Sequence, residues 1–279
     1  MAGNVIGHIN YFTSTIYGCP PWLVTFSIPT AMRSNFVQAS IPVTIQNLRG
    51  KETSVNLDTN GLEVVKYNGS IQEEFEEGSE AQKTYYEEIS NFLKKRLGAF
   101  RVIIYHYTFR FRSSPRPDEQ LDGTHRNPVF YPHVDIDSFG VQGFVEHVLG
   151  EEEAERAKKN RIQLVNVWRP LGANPITDKP LTICDYRSID VNKDVHPLTI
   201  QGAGYHSTAY TLSRNAQDAH VWYYLSPMRS DEMFVFKIFD SEPDVAQFAF
   251  HTTFKNGDGS MPTEEQKSLE LRCLVFYDE

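Results

Sequence analysis

Cysteine is scarce in this chain: three in 279 residues, Cys19, Cys184 and Cys273. Three widely spaced thiols with no C-x-x-C pair make neither a disulfide framework nor a zinc pattern. Each is expected to act as a small core hydrophobe in a reducing compartment. Positive charge is also short, with 27 Lys and Arg against 36 Asp and Glu, a formal net charge of −9. The densest basic run, Lys94-Lys95-Arg96, is too small a footprint for a phosphate backbone, so no nucleic-acid partner is expected. No stretch approaches the roughly 20 apolar residues that a membrane helix needs. Met1 to Pro20 holds no apolar signal core. There is no internal repeat and no low-complexity tract. The expectation is a soluble, cytoplasmic protein with no membrane partner.

What the chain does have is aromatic mass: 18 Phe, 14 Tyr and 3 Trp, within 40% hydrophobic residues. That supply fills a sizeable core and excludes wholesale disorder. Tyr85, Ile89, Phe92, Leu93 and Leu97 recur at helical spacing, with Ser79 as N-cap and Gly98 as terminator. A strand is expected from Arg101 to Arg112, where Tyr105, Tyr107, Phe109 and Phe111 alternate with His106, Thr108, Arg110 and Arg112. Asp58-Thr59-Asn60-Gly61 reads as a hairpin turn between Thr53–Leu57 and Leu62–Tyr67. A second helical region spans about Val141 to Lys159, interrupted near Gly150.

From there the pattern is short strands broken by turns: Ile162–Trp168, Leu181–Asp185, Trp222–Leu225, Met233–Phe239, Phe248–Phe254 and Leu269–Tyr277. Such spacing suggests a sandwich or barrel rather than a parallel α/β sheet. The fold class is therefore mainly β with flanking helices. One domain over 1–279 is expected, in which 1–112 wraps a core formed by 113–279.

Nine histidines make metal chemistry worth weighing. In an extended segment His133 and Asp135 share a face and can bind one ion together. A third ligand, His251 in Phe250-His251-Thr252-Thr253-Phe254, completes a 2-His-1-carboxylate set, which leaves positions open on Fe(II). Spacing alone does not single out His251. His8, His106, His125, His147, His196, His206 and His220 remain open alternatives, each more often an ordinary hydrogen-bonded residue. In the terminal strand, Glu270, Arg272 and Leu274 alternate with Leu269, Leu271 and Cys273. A guanidinium there needs an anion, either a bound carboxylate or an acid such as Glu270.

The order of segments resembles a group of fungal and bacterial non-haem iron oxygenases that includes gibberellin desaturase, AsaB-type hydroxylases and CmcJ-type proteins. The resemblance runs over almost the whole chain. It is carried by Ile9-Asn10-Tyr11-Phe12, Asn47-Leu48-Arg49-Gly50, Leu57-Asp58-Thr59-Asn60-Gly61, His133-Val134-Asp135 and Asn166-Val167-Trp168-Arg169-Pro170-Leu171. Cys184-Asp185-Tyr186-Arg187-Ser188, Trp222-Tyr223-Tyr224, Phe239-Asp240-Ser241 and the His251 box extend it. It implies a double-stranded β-helix (jelly-roll) oxygenase using Fe(II), 2-oxoglutarate and O₂. It also implies His133, Asp135 and His251 as catalytic metal ligands and Arg272 as the grip on the distal carboxylate of 2-oxoglutarate. Two departures stand out: Ile136-Asp137-Ser138 replaces the family's Gln-Ser after H-x-D, and Lys255 to Lys267 forms a longer linker. The second leaves Arg169 or Arg187 as alternative anchors.

Asn166 is expected to bond the cosubstrate or order a ligand. Trp168, Trp222 and Tyr224 are candidates to line an apolar substrate pocket, with Tyr205 and Tyr210 on a nearby flexible segment. The expected reaction is hydroxylation, desaturation or rearrangement at an unactivated C–H bond of a hydrophobic natural product, such as a polyketide or meroterpenoid. A homodimer, or a heterodimer with a related oxygenase, is expected. The competing readings are a non-catalytic partner subunit of such an enzyme and a zinc hydrolase, which would not require Arg272.

Overall fold

The computed structural model describes residues 3–25, 30–112, 116–202, 205–255 and 264–277. Two sheets dominate. The larger runs in the order Val5–Thr15, Phe36–Asn47, Trp222–Tyr224, Leu181–Cys184, His251–Thr253, His133–Val134, Tyr205–Leu212, Val195–Gly202 and Trp22–Val24. The smaller runs Leu62–Lys66, Glu232–Asp240, Ile162–Leu171, Lys267–Phe276, Arg101–Phe111 and His125–Arg126. Most pairings are antiparallel, and many join strands far apart in sequence, the arrangement of a double-stranded β-helix.

Among the described residues four α-helices accompany the sheets: α1 (Leu57–Asn60), α2 (Glu80–Leu97), α3 (Ser138–Leu149) and α4 (Glu151–Ala157). The expectation for α2 holds in detail. The Ser79 side chain accepts from Gln82 N, and Gly98 ends the helix at φ 69°. Tyr85, Ile89 and Leu93 bury its apolar stripe against Val167, Leu271, Cys273 and Val275 on the outer face of the smaller sheet. The inner face carries Leu164, Trp168, Phe234, Phe236 and Leu274 into the main core, with Ile183 and Phe250. Every residue of Ile162–Leu171 is buried because both faces of that strand are covered. The alternation expected in the terminal strand, Leu269, Leu271 and Cys273 against Glu270, Arg272 and Leu274, is likewise observed.

Several expectations are corrected. Asp58-Thr59-Asn60-Gly61 is not a hairpin turn. Asn56 caps α1 by accepting from Thr59 N, Gly61 closes it at φ 81°, and the following strand pairs with Glu232–Phe236 instead. A left-handed glycine serves a helix C-terminus as well as a hairpin, and the buried Asn60–Asp185 hydrogen bond (2.8 Å) pins the helical choice. In Arg101–Phe111 the alternation slips: Arg272 faces His106 but Cys273 faces Ile104, so Tyr105 is an extra bulge residue. Tyr105 thereby joins the inner layer, 4.5 Å from Phe144, while Tyr107 and Phe109 pack outward. The segment of Tyr210, expected to be flexible, is a strand paired to Val195–Gly202. Cys184 and Cys273 are buried as expected, but Cys19 is exposed. Most of the expected Lys255–Lys267 loop lies outside the described residues.

Gly61 and Gly98 provide a paired test. A Cβ on Gly98 would meet nothing within 4 Å, whereas one on Gly61 would lie 2.9 Å from the Phe248 carbonyl oxygen. Gly98→Ala should cost about 1 kcal/mol from the left-handed backbone alone. Gly61→Ala should cost about 3 kcal/mol, since crowding adds to that strain. Urea unfolding midpoints compare the two, and equal losses would show that the Phe248 contact has no weight.

Candidate metal centre

The larger sheet brings His133 and His251 into direct register on adjacent strands, although 118 positions separate them in the chain. Their rings lie 4.3 Å apart between centroids. Each Nδ1–H donates to a main-chain carbonyl two residues earlier, His133 to Tyr131 (3.0 Å) and His251 to Ala249 (3.3 Å). Those bonds fix the tautomer, so both Nε2 atoms are left as acceptors. The His251 Nε2 is buried with no hydrogen-bond partner among the described residues. Asp135 closes the group: one potential ligand atom from each of the three residues lies within 4.8 Å of the others. A buried imidazole nitrogen without a partner, facing a second imidazole and a carboxylate, is a donor set that fits a divalent first-row metal.

The smaller sheet supports this group with a row of side chains across four strands. His106, Arg272, Asn166 and Phe236 are successive register partners and so share one face. Phe236 packs on the His251 ring at 4.8 Å. Asn166 Nδ2 donates to Asp135 Oδ2 and Arg272 Nη2 donates to Asp135 Oδ1, each at 2.7 Å. Burial alone would raise the Asp135 pKa. Arg272 and the Asn166 hydrogen bond help to outweigh it and hold the carboxyl far below its ordinary range. Burial, reinforced by His251 and opposed by Asp135, pulls His133 down to about 3, and burial also lowers His251. At neutral pH the site therefore offers two neutral imidazoles and one carboxylate.

The next positions of the same face bring more charge. Glu270 lies one register step from Arg272, opposite Trp168 and Thr108. Its carboxylate is 3.6 Å from Arg272 Nε and 3.7 Å from Arg110 Nη2. Arg110, Arg112, Trp168 and Glu270 line a narrow cavity with His133 and His251. The Arg112 guanidinium is fully buried and meets Ser268 Oγ, the Lys179 carbonyl and the Trp168 ring. Arg110 and Arg112 were visible in the sequence only as the polar half of an alternating strand.

Other expected site residues lie elsewhere. Arg169 is on the outer face, where its guanidinium meets Tyr85 Oη, the carbonyls of Ser230 and Ile71, and the rings of Tyr67 and Tyr85. One position of strand register puts it on the opposite face from Trp168, so it cannot serve as a cosubstrate anchor. Arg187 is held at the surface by Asp185. Trp222 donates to Tyr11 Oη (2.8 Å) and Tyr224 to the Gly3 carbonyl (2.9 Å); neither lines the cavity beside the histidines. Trp168 does line it. Asp137, one of the residues that depart from the resemblance, caps α3 by accepting from Gly140 N and Thr208 Oγ1. The chain leaving Asp135 is thereby fixed.

A double sheet that projects two imidazoles and a carboxylate from its inner faces defines a non-haem iron oxygenase type of site. The chain belongs to the family described as "Oxidoreductase/YMDC permease-like domain", whose model matches residues 9–276. The "Hydroxylase/desaturase CTB9" of Cercospora beticola is 30% identical, covering 85% of this chain and 76% of its own. The "Fe(II)/2-oxoglutarate-dependent dioxygenase nvfI" of Aspergillus novofumigatus is 27% identical over 89% of this chain and 87% of its own. The solved structure of the "iron and alpha-ketoglutarate-dependent endoperoxidase NvfI" superimposes with a TM-score of 0.82 at 23% identity, covering 99% of each chain. That match bears out the jelly-roll fold.

Two outcomes follow for the metal. His251→Ala should abolish tight Mn(II) or Fe(II) binding while moving the melting temperature little, as measured by equilibrium dialysis and thermal unfolding. Because the pKa of His133 lies near 3 and that of His251 is also lowered, metal affinity of the wild-type protein should stay flat between about pH 6 and 8. Proton competition should appear only as the pH falls well below the ordinary imidazole range near 6.5. A steep loss of affinity below about pH 7 would contradict the burial of these rings.

Proposed function

We propose that this protein is an Fe(II)- and 2-oxoglutarate-dependent dioxygenase that oxidises an unactivated C–H bond of a small hydrophobic natural product. The observation that carries this reading is the buried His133–Asp135–His251 group with an imidazole nitrogen left over. Family membership and the activities named for the relatives support it. When bound there, Fe(II) supplies open coordination positions for 2-oxoglutarate and O₂, whose reaction releases succinate and CO₂ and oxidises the substrate.

The protein's part is to hold and shield. Main-chain carbonyls at Tyr131 and Ala249 aim the two Nε2 atoms at one point. Asp135 supplies negative charge that partly compensates the metal's. Phe236 against His251 and Tyr131 against His133 exclude water from the rear of the rings. The fork of a guanidinium matches the distal carboxylate of 2-oxoglutarate. The arginines at hand are Arg272, expected from the resemblance, and Arg110 and Arg112, which line the cavity shared with the histidines. Trp168 is the aromatic candidate for an apolar wall beside the cosubstrate. We read residues 1–279 as one oxygenase unit, working in the cytoplasm as a homodimer or beside a related chain. None of the helices among the described residues is long and apolar enough to cross a membrane.

Anaerobic titration of the metal-free protein with Fe(II) and then 2-oxoglutarate tests the reading. A saturable visible charge-transfer band is expected, and oxygen supplied with ascorbate as the two-electron reductant should then convert 2-oxoglutarate to succinate and CO₂ even without substrate, though slowly. Uptake of Fe(II) with no band and no succinate would refute it in favour of a non-catalytic partner subunit.

A further inference from the structure

The pairing of Arg272 assigns it a different task from the one the resemblance implies. Its Nη2 donates to Asp135 Oδ1 at 2.7 Å while Asn166 Nδ2 donates to Asp135 Oδ2 at the same distance. We propose that Arg272 and Asn166 form a two-point clamp on the Asp135 carboxylate, and that Arg272 is a positioning residue for this metal ligand rather than the anchor of 2-oxoglutarate. This inference rests on the metal reading above.

Three observations converge. First, the clamp is built by strand register. Arg272 and Asn166 are direct cross-strand partners in the smaller sheet, and Asp135 reaches across from the segment that carries His133. The two donors hold the two oxygens separately, so the carboxylate plane cannot turn without breaking one bond. Second, the remainder of the Arg272 head faces Glu270, 3.6 Å from Nε. A guanidinium between two buried carboxylates is already neutralised and would have to surrender one to grip a third. Third, another cation beside the histidines is better placed to receive an anion. Arg112 is fully buried, lines the cavity containing both imidazoles, and has no ion pair among the described residues. Burial drags its pKa down to about 9, a desolvation cost that a bound carboxylate would offset.

The function of such a clamp is to hold the Asp135 carboxylate in one orientation toward His133 and His251, so that the residues that would hold the metal are set before it binds.

The test separates the metal from the cosubstrate. Mn(II) binding, followed by the electron paramagnetic resonance signal of free Mn(II), is measured on the wild-type protein, Asn166→Leu and Arg272→Leu. 2-Oxoglutarate binding is then measured by calorimetry at saturating Mn(II) on the wild-type protein and Arg272→Gln. Melting temperatures check folding, and Arg272→Gln keeps a donor if Arg272→Leu fails to fold. Both leucine variants should bind Mn(II) tenfold to a hundredfold more weakly, the usual scale for residues that orient a metal ligand. Removing a cation beside a divalent ion would by itself tighten binding, so a loss in Arg272→Leu reports the lost orientation of Asp135. Arg272→Gln should bind 2-oxoglutarate within threefold of the wild-type protein. Unchanged Mn(II) affinity in Asn166→Leu, or a greater than threefold loss of 2-oxoglutarate affinity in Arg272→Gln, would overturn the proposal. A wild-type protein that took up no Mn(II) would instead remove the metal reading itself, and this inference with it.

Discussion

A carboxylate buried between two sheets must be compensated from both sides, and Asp135 sets that demand here. Left alone it would take up a proton rather than stay charged in the core. The larger sheet answers with His133 and His251, which offer a metal position; the smaller answers with Arg272 and Asn166 at 2.7 Å. The two sheets are thus tied at one point by an ion pair and a hydrogen bond, and the mutual position of the three candidate ligands depends on both. A slip of one residue in either strand of the Asn166–Arg272 pair would turn those side chains toward α2.

That dependence explains how closely the inner layer is specified. Phe236 rests on the His251 ring, Tyr131 on His133, and α3 is capped by Asp137, two residues after the candidate carboxylate Asp135. Each contact removes a rotational freedom from a group of the candidate metal centre. Behind the smaller sheet, α2 covers the opposite face with Tyr85, Ile89 and Leu93, and Arg169 is sealed there by cation–π contacts and carbonyls. Two arginines in one sheet therefore have unrelated roles, one turned toward Asp135 and the other locked in the outer layer.

Much of the candidate site was legible from local pattern. His133 and Asp135 sit two apart in an extended segment, and Arg272 interrupts the inward face of an apolar strand. Local pattern did not distinguish His251 from other histidines; the whole-chain resemblance did, and the register of His251 on His133 supplies the physical ground. It also misjudged residues whose role depends on a bulge or a distant bond. Tyr105 changes layer because one extra residue enters its strand. Asn60-Gly61 closes a helix because Asn60 reaches Asp185. Trp222 and Tyr224, promising as pocket aromatics, spend their polar atoms on Tyr11 and Gly3.

By itself the sequence determined the β-rich class, the extent and caps of α2, the alternation of the terminal strand and the chemical types able to hold iron. These follow from side-chain periodicity and backbone preference, which act over a few residues. Only the tertiary structure decided which histidine meets His133, which face each arginine takes and which anion each one meets. Those outcomes depend on strand register between segments more than a hundred residues apart, and register is settled by packing the whole core at once.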